Sequence, residues 1–164
     1  MGSGIRLVVF LAVTVGVLAA AFFGLTRRFT VATNAMAPTM KAEDHVAVFR
    51  WFSSPGRKDV VVFFAAPQPG CGTSRAHVER VIGLPGETVE EQNGAVSVDG
   101  KRLTESYVKL RDRGTNRWHV PPKSYFVMGD DRRSSCNFRG LVPKKDVAGK
   151  VLYTFWPVDR ISIS

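Results

Sequence analysis

The sequence predicts a mainly β domain, a β-sheet or barrel with a small β-hairpin excursion, preceded by one N-terminal transmembrane helix. Three observations lead there. Leu7 to Leu25 runs for 19 residues without a charge, six short runs rich in β-branched and aromatic residues follow, and no second helical periodicity is visible. At 164 residues and 45% hydrophobic composition the chain has room for one well-buried domain, or one domain plus a small insertion.

The apolar run is bracketed by Arg6 and by Arg27-Arg28. At 1.5 Å per residue it spans about 28 Å, enough to cross a bilayer as a helix. A buried core helix is rarely so uniformly apolar. A cleavable secretory signal is the stronger alternative, since Ala19-Ala20-Ala21 offers small residues, but the run is longer than an ordinary signal core. The organisation expected is therefore an anchor with its short flank over residues 1–28 and a β domain over 29–164. Charge does not orient the helix, because positive residues stand on both sides of it.

The expected strands are His45–Phe49, Asp59–Phe64, His77–Ile82, Ala95–Val98, Tyr125–Met128 and Lys150–Phe155. Asn93-Gly94 and Asp99-Gly100 are two-residue turn signals, so the segment from about Glu87 to Leu103 should fold into tight hairpins. Pro55-Gly56, Pro69-Gly70 and Pro121-Pro122 mark further loops. Trp51-Phe52 and Phe155-Trp156 are either ordinary core aromatics or residues that dip into a bilayer interface.

The formal net charge is +9, but the basic residues are scattered and no nucleic-acid module is visible. Nucleic acid is not an expected partner. Attraction to anionic membrane lipid is the simpler account for a chain with an apolar segment of this length.

Four motifs carry chemistry. Thr33-Asn34-Ala35-Met36-Ala37-Pro38-Thr39 comes shortly after the apolar run; Ala42 to Val48 and Arg57 to Phe63 each place an acidic turn before a strand. Glu79-Arg80-Val81-Ile82-Gly83-Leu84-Pro85-Gly86-Glu87 forms the third, and Met128 to Pro143, beginning Met128-Gly129-Asp130-Asp131-Arg132, the fourth. In this order and behind an apolar segment they resemble the boxes of the type I signal peptidases, and the resemblance covers most of the chain. It implies a Ser/Lys-dyad endopeptidase anchored in the cell membrane by a single pass, with its β domain on the extracytoplasmic side. Such enzymes remove signal peptides from exported precursors after a small-x-small sequence. It implies no cofactor and no metal.

In the family a serine hydroxyl attacks the peptide bond and a lysine amine accepts its proton. A free lysine titrates at about 10.4, so the amine must be desolvated to act as a base. A backbone N–H at the serine and a hydroxyl two residues earlier hold the oxyanion. Carried onto this chain, the serine position is Ala35, the lysine position is Glu79 and the oxyanion hydroxyl is Thr33. Ser135 matches the serine that orients the lysine, and Met36 and Pro38 fall where substrate is bound. Asn137 and Phe138 also depart from the family pattern. A methyl group has no lone pair to offer, so the chain is expected to lack catalysis. Several departures at one site favour natural decay over a single deliberate knockout. The alternatives are a non-catalytic signal-peptide-binding or regulatory module, and an active peptidase that uses other groups.

His77, two residues before Glu79, shares its face of the strand and is more simply structural than catalytic. Cys71 and Cys136, both in polar loop sequence, are candidates for a disulfide in a domain that faces an oxidising compartment; two separate thiols are the alternative.

Overall fold

The fold is seen in a computed structural model that describes residues 3–49, 54–109, 112–134, 136 and 138–163, apart from the side chains of residues 3, 18 and 21–23. Trp51 and Phe52, expected as core or interface aromatics, lie outside the described residues. Helix α1 (Ser3–Leu25) follows the apolar run, and its described apolar side chains from Ile5 to Val17 are exposed. Among the described residues no helix is long and apolar enough to cross a membrane. The expectation of a transmembrane helix is thereby narrowed to an exposed apolar helix.

Twelve strands are described. The larger sheet contains β1 (Thr26–Thr30), β2 (His45–Phe49), β3 (Val60–Phe64), β4 (Ala76–Gly83), β9 (Ser124–Met128), β10 (Gly140–Pro143), β11 (Val147–Trp156) and the short β12 (Ser162–Ile163). Its order is β1-β2-β11-β3-β4-β9-β10, with β12 beside β11. The smaller sheet runs β7-β6-β5-β8, from β5 (Thr88–Gln92), β6 (Ala95–Val98), β7 (Lys101–Arg102) and β8 (Thr115–His119). Every pairing is antiparallel. Among the described residues the larger sheet is open, since β1 and β10 each pair with one neighbour there, and the barrel alternative is corrected on that ground. The excursion is larger than a hairpin: β8, whose exposed Thr115-Asn116-Arg117 shows no apolar alternation, joins the hairpins to make a second sheet.

Alternation along the strands builds the core. Val60 and Val62 of β3 face a cluster with Val46, Val48, Val78 and Val151, capped by Met36 and Met40. Val61 and Phe63 face the other side, with Val81, Tyr125, Val127 and Val142. Both faces of β3 are thus covered, which explains why its sequence is an unbroken apolar run. A third cluster, with Ile82, Val89, Val96, Val120, Phe126 and Met128, holds the two sheets together. The expected hairpin turns are present: Asn93 and Gly94, then Asp99 and Gly100, all have positive φ, as tight two-residue β-turns require.

Gly83 sits where the sheets meet. A Cβ there would lie 2.5 Å from Val89 Cγ2 and 2.9 Å from Val120 Cγ2. Cys71 and Cys136 form a disulfide with a Cα–Cα distance of 5.5 Å, closing a sequence separation of 65 residues.

Two stability predictions follow from this packing. Gly83→Ala should overpack the junction and cost about 1–3 kcal/mol in urea unfolding, whereas an unchanged midpoint would mean that the two valines move aside freely. Thiol titration of the denatured, unreduced chain should find no free cysteine, and Cys71→Ser should lower stability by about 2–5 kcal/mol. Two titratable thiols would remove the bridge.

Candidate functional site

Ala35 lies in a 3-10 turn (Asn34–Met36), 1% exposed. Thr33 begins the turn, and its Oγ1 accepts from the Ala35 N–H at 3.3 Å. The turn is pinned from several directions. Asn34 accepts the Ala42 N–H through Oδ1 at 2.9 Å and the Ala37 N–H through its carbonyl at 2.9 Å. The Ala35 carbonyl accepts the Asp131 N–H at 2.9 Å, which ties the turn to the segment after β9. Met36 is fully buried in the core cluster and Pro38 is exposed.

Strand β4 brings Glu79 beside this turn, with Cα atoms of the two elements within 8 Å. Its carboxyl is 1% exposed. Oε1 accepts the Phe138 N–H at 2.9 Å, while Oε2 has no hydrogen-bond partner among the described residues. Burial pushes this carboxyl well above the usual carboxylate range. The Phe138 N–H pulls it back in part; Asp130 adds to the rise and Arg132 opposes it.

A cleft runs between residues 31–33 on one side and residues 76–79 of β4 on the other, with Cys71 and Ser74 at its rim. Strand β9 pairs with β4 only from Arg80 to Gly83, so the outer edge of β4 along the cleft carries no strand among the described residues. Thr33 and Glu79 both line this cleft; Met36 and Pro38 do not. The structure therefore brings together three of the positions singled out in the sequence: Thr33, Ala35 and Glu79. Ser135, the expected orienting residue, lies outside the described residues, as does Asn137. The Cys71–Cys136 bridge joins the cleft rim to the segment whose Phe138 N–H holds Glu79.

His77 is packed rather than poised. Its ring stacks on Phe63 at 5.5 Å and lies 5.7 Å from Phe138, with Nε2 3.3 Å from the Ala66 carbonyl oxygen. Desolvation lowers its pKa. That is a structural histidine with reduced appetite for a proton.

Beneath the cleft lies an ionic network that sequence reasoning missed. Arg80 donates to both oxygens of Asp130, from Nε at 2.8 Å and from Nη2 at 2.6 Å. Thr39 Oγ1 donates to Asp130 Oδ2 at 2.5 Å, connecting the segment after the Ala35 turn. Arg80 also covers the Tyr107 ring at 4.1 Å, and Tyr107 donates to Glu105 at 3.2 Å. Glu105 in turn pairs with Arg132 at 2.5 Å, both fully buried. Arg139 then reaches Glu91 at 2.9 Å and the Arg132 carbonyl at 3.1 Å. Arg80, Asp130 and Arg132 stand inside the conspicuous motifs; the available signal was their place beside the catalytic positions.

Among the described residues, the stretch of β4 before Arg80 leaves one edge without a paired strand. Ala35 offers no lone pair for nucleophilic attack, and burial disfavours the ionised form of Glu79. One pH dependence follows. The folded carboxyl of Glu79 binds its proton more tightly than the unfolded one, so between the ordinary value of 4.5 and the raised folded value the native state holds the extra proton. Stability from this group is therefore full below 4.5 and falls as pH rises through that window. Thermal unfolding from about pH 5 to about pH 8 should show a shallower decline for Glu79→Gln than for the parent chain. Equal slopes would mean that Glu79 ionises as readily folded as unfolded.

Comparison with known proteins matches residues 4–156 to the family described as Signal peptidase, peptidase S26. A signal peptidase I of Leptolyngbya laminosa is 35% identical over 140 residues, covering 80% of this chain and 69% of that protein. Signal peptidase I P of Bacillus subtilis subsp. natto is 33% identical over 150 residues, covering 81% and 78% respectively. A solved signal peptidase I from Enterococcus faecalis V583 aligns with a TM-score of 0.48 and 29% identity, over 61% of this chain and 98% of that one. With four ordered motifs, an open antiparallel sheet and a match over nearly its whole length, the chain belongs to the signal peptidase family, peptidase S26.

Proposed function

We propose that this protein is a membrane-anchored signal-peptidase-type module that holds the signal-peptide region of exported precursors without cleaving it. The observation that carries the reading is the pair Ala35 and Glu79: a buried methyl where the family's nucleophile would stand, and a buried carboxyl, held by the Phe138 N–H, where its base would stand. Neither group can begin acyl transfer.

Other hydroxyls near the turn are engaged elsewhere. Thr33 accepts the Ala35 N–H, and Thr39 donates to Asp130. A nucleophile moved from 35 to 33 or 39 is displaced by far more than the 1 Å that already lowers rates about a hundredfold. These contacts weigh against an active peptidase that uses unrecognised groups.

Binding needs less than catalysis. An extended peptide can add to the open edge of β4 through main-chain hydrogen bonds, which do not depend on residue 35 or 79. The small side chains of Ala32 and Ala76 beside this edge suit the approach of a small-x-small region. Helix α1, 23 residues long and about 34 Å at 1.5 Å per residue, supplies the anchor in this reading. With the anchor embedded, the β domain lies on the extracytoplasmic side, where exported precursors emerge and where a disulfide persists. Its scattered basic residues then meet anionic lipid headgroups.

Reversion tests the reading. The parent chain and Glu79→Lys should leave a precursor intact, and Ala35→Ser should cleave at least about a hundredfold more slowly than Ala35→Ser/Glu79→Lys. Full activity from Ala35→Ser alone would make Glu79 a working base and overturn the non-catalytic reading. A folded but inert double variant would extend the loss to Asn137 and Phe138. Failure of the parent chain to retain any small-x-small peptide would remove the holding role.

A further inference from the structure

Six large apolar side chains outside α1 are exposed among the described residues, and four of them, Trp156, Val158, Ile161 and Ile163, crowd into the end of β11 and the segment through β12. Ile163 is 93% exposed. Single surface hydrophobics need no explanation, but a group of this kind marks a surface that meets an apolar partner.

The local build holds that exposure in place. In the turn Val158–Arg160 the arginine is directed inward: its Nη2 lies 3.1 Å from Oδ1 of Asp44, a residue 2% exposed. Asp44 in turn accepts the Lys41 N–H at 2.8 Å, which fixes the carboxylate beneath the turn. Val158 and Ile161 face solvent instead, at 65% and 61% exposure. Water alone would select the reverse, with the cation outside and the aliphatic groups packed away.

The pairing register spreads this surface across the sheet. Arg28 lies opposite Ala47, Ala47 opposite Tyr153, and Tyr153 opposite Ile163; directly opposed residues of antiparallel strands share a face. That face is turned away from the core cluster of Val46, Val48 and Val151. Phe155 gathers the polar edge of the patch: the Arg28 guanidinium carbon lies 5.6 Å from its ring centre, His45 5.9 Å and Tyr153 6.3 Å. Aromatic rings with polar tips, flanked by arginine and bordered by isoleucine, match the chemistry of a bilayer interface. Strand β1 starts directly after α1, so Arg28 stands about 10 Å of strand beyond Leu25. A second copy suits the surface less, since it would bring the Arg28 side chains of two chains together.

Relying on the anchoring by α1 proposed above, we propose that the outer face of β1, β2, β11 and β12 is a membrane-docking surface. Trp156, Val158, Ile161 and Ile163 enter the acyl boundary, and Arg28 meets the lipid phosphates. This is a second attachment besides the helix, and it orients the domain. Thr30, His45 and Trp156 form the next row across the sheet, and the cleft wall at residues 31–33 begins one residue beyond Thr30. Docking therefore holds that wall against the headgroups.

Nitroxide labels test the surface in the full chain, in nanodiscs of phosphatidylethanolamine and phosphatidylglycerol. Cys71 and Cys136 are bridged, so Val13→Cys, Leu141→Cys and Ile163→Cys each take a single label. Val13 reports on α1, Leu141 on the β10 border and Ile163 on the docking face. Collisions with oxygen should dominate at 13 and 163, and collisions with a water-soluble nickel chelate at 141. A label at 163 as open to nickel as the one at 141, with position 13 in lipid, overturns the docking surface and leaves anchoring and holding in place. Nickel access at 13 overturns the anchor and the surface together. Val158→Ser/Ile161→Ser should shift the oxygen-to-nickel ratio at 163 about tenfold toward water; an unchanged ratio means that α1 alone keeps the site near lipid, which also overturns the surface. Spin–spin broadening at 163 that appears only in discs carrying two chains assigns the face to a second copy instead. A parent-like melting temperature for the serine variant separates lost docking from lost fold.

Discussion

The buried ion pair between Arg80 and Asp130 is the constraint on which the rest of this domain depends. Two planar groups meet through two hydrogen bonds, and Thr39 adds a third contact to the same carboxylate. These residues belong to β4, to the segment after β9 and to the chain just beyond the Ala35 turn. One pair therefore fixes three pieces that alternation in the strands alone would leave unregistered. Burying the pair requires desolvating both charges, and only close geometry and further partners offset that cost. Lys58 supplies one, its carbonyl accepting from Arg80 Nη1 at 2.9 Å. The network beyond it, through Tyr107, Glu105, Arg132 and Arg139, carries the same logic into the smaller sheet.

This hierarchy separates scaffold from chemistry. Arg80 is next to Glu79 in sequence, yet the two side chains leave β4 on opposite faces, one into the ionic network and the other toward Phe138. Among the described residues both sides keep a buried atom without a hydrogen-bond partner: Arg132 Nη1 and Glu91 Oε1 in the network, Oε2 of Glu79 on the other face. The Ala35 side chain bears little of the turn's order, because position 35 holds its place through backbone contacts to Thr33 and Asp131. A small buried side chain is well suited to such a turn.

Much of the fold was legible in the sequence, for identifiable reasons. The strands β2, β3, β6, β9 and β11 contain β-branched runs, with faces that alternate between clusters in β3 and β9, and Asn93-Gly94 and Asp99-Gly100 demand positive φ. Strand β1 was hidden because Arg27-Arg28 reads as the flank of the apolar run, and β10 because Gly140 and Pro143 break the pattern. The positions of Thr33, Ala35 and Glu79 were legible through motifs. The ionic network was not, since partners such as Arg80 and Asp130 are 50 residues apart and only the closed fold shows which charges are buried.

An open sheet leaves two borders that could recruit strands from other molecules. On one border, β1 places Arg27 and Arg28 outward, where like charges repel a second copy. On the other, β10 ends in Pro143, which has no N–H to offer a neighbour. The unpaired stretch of β4 is different, because it lies inside a cleft rather than along a border. Self-association is thus discouraged at the perimeter while strand pairing is admitted in the interior. The proposed reception of extended chains needs that distinction, or copies of the chain would compete for the same place.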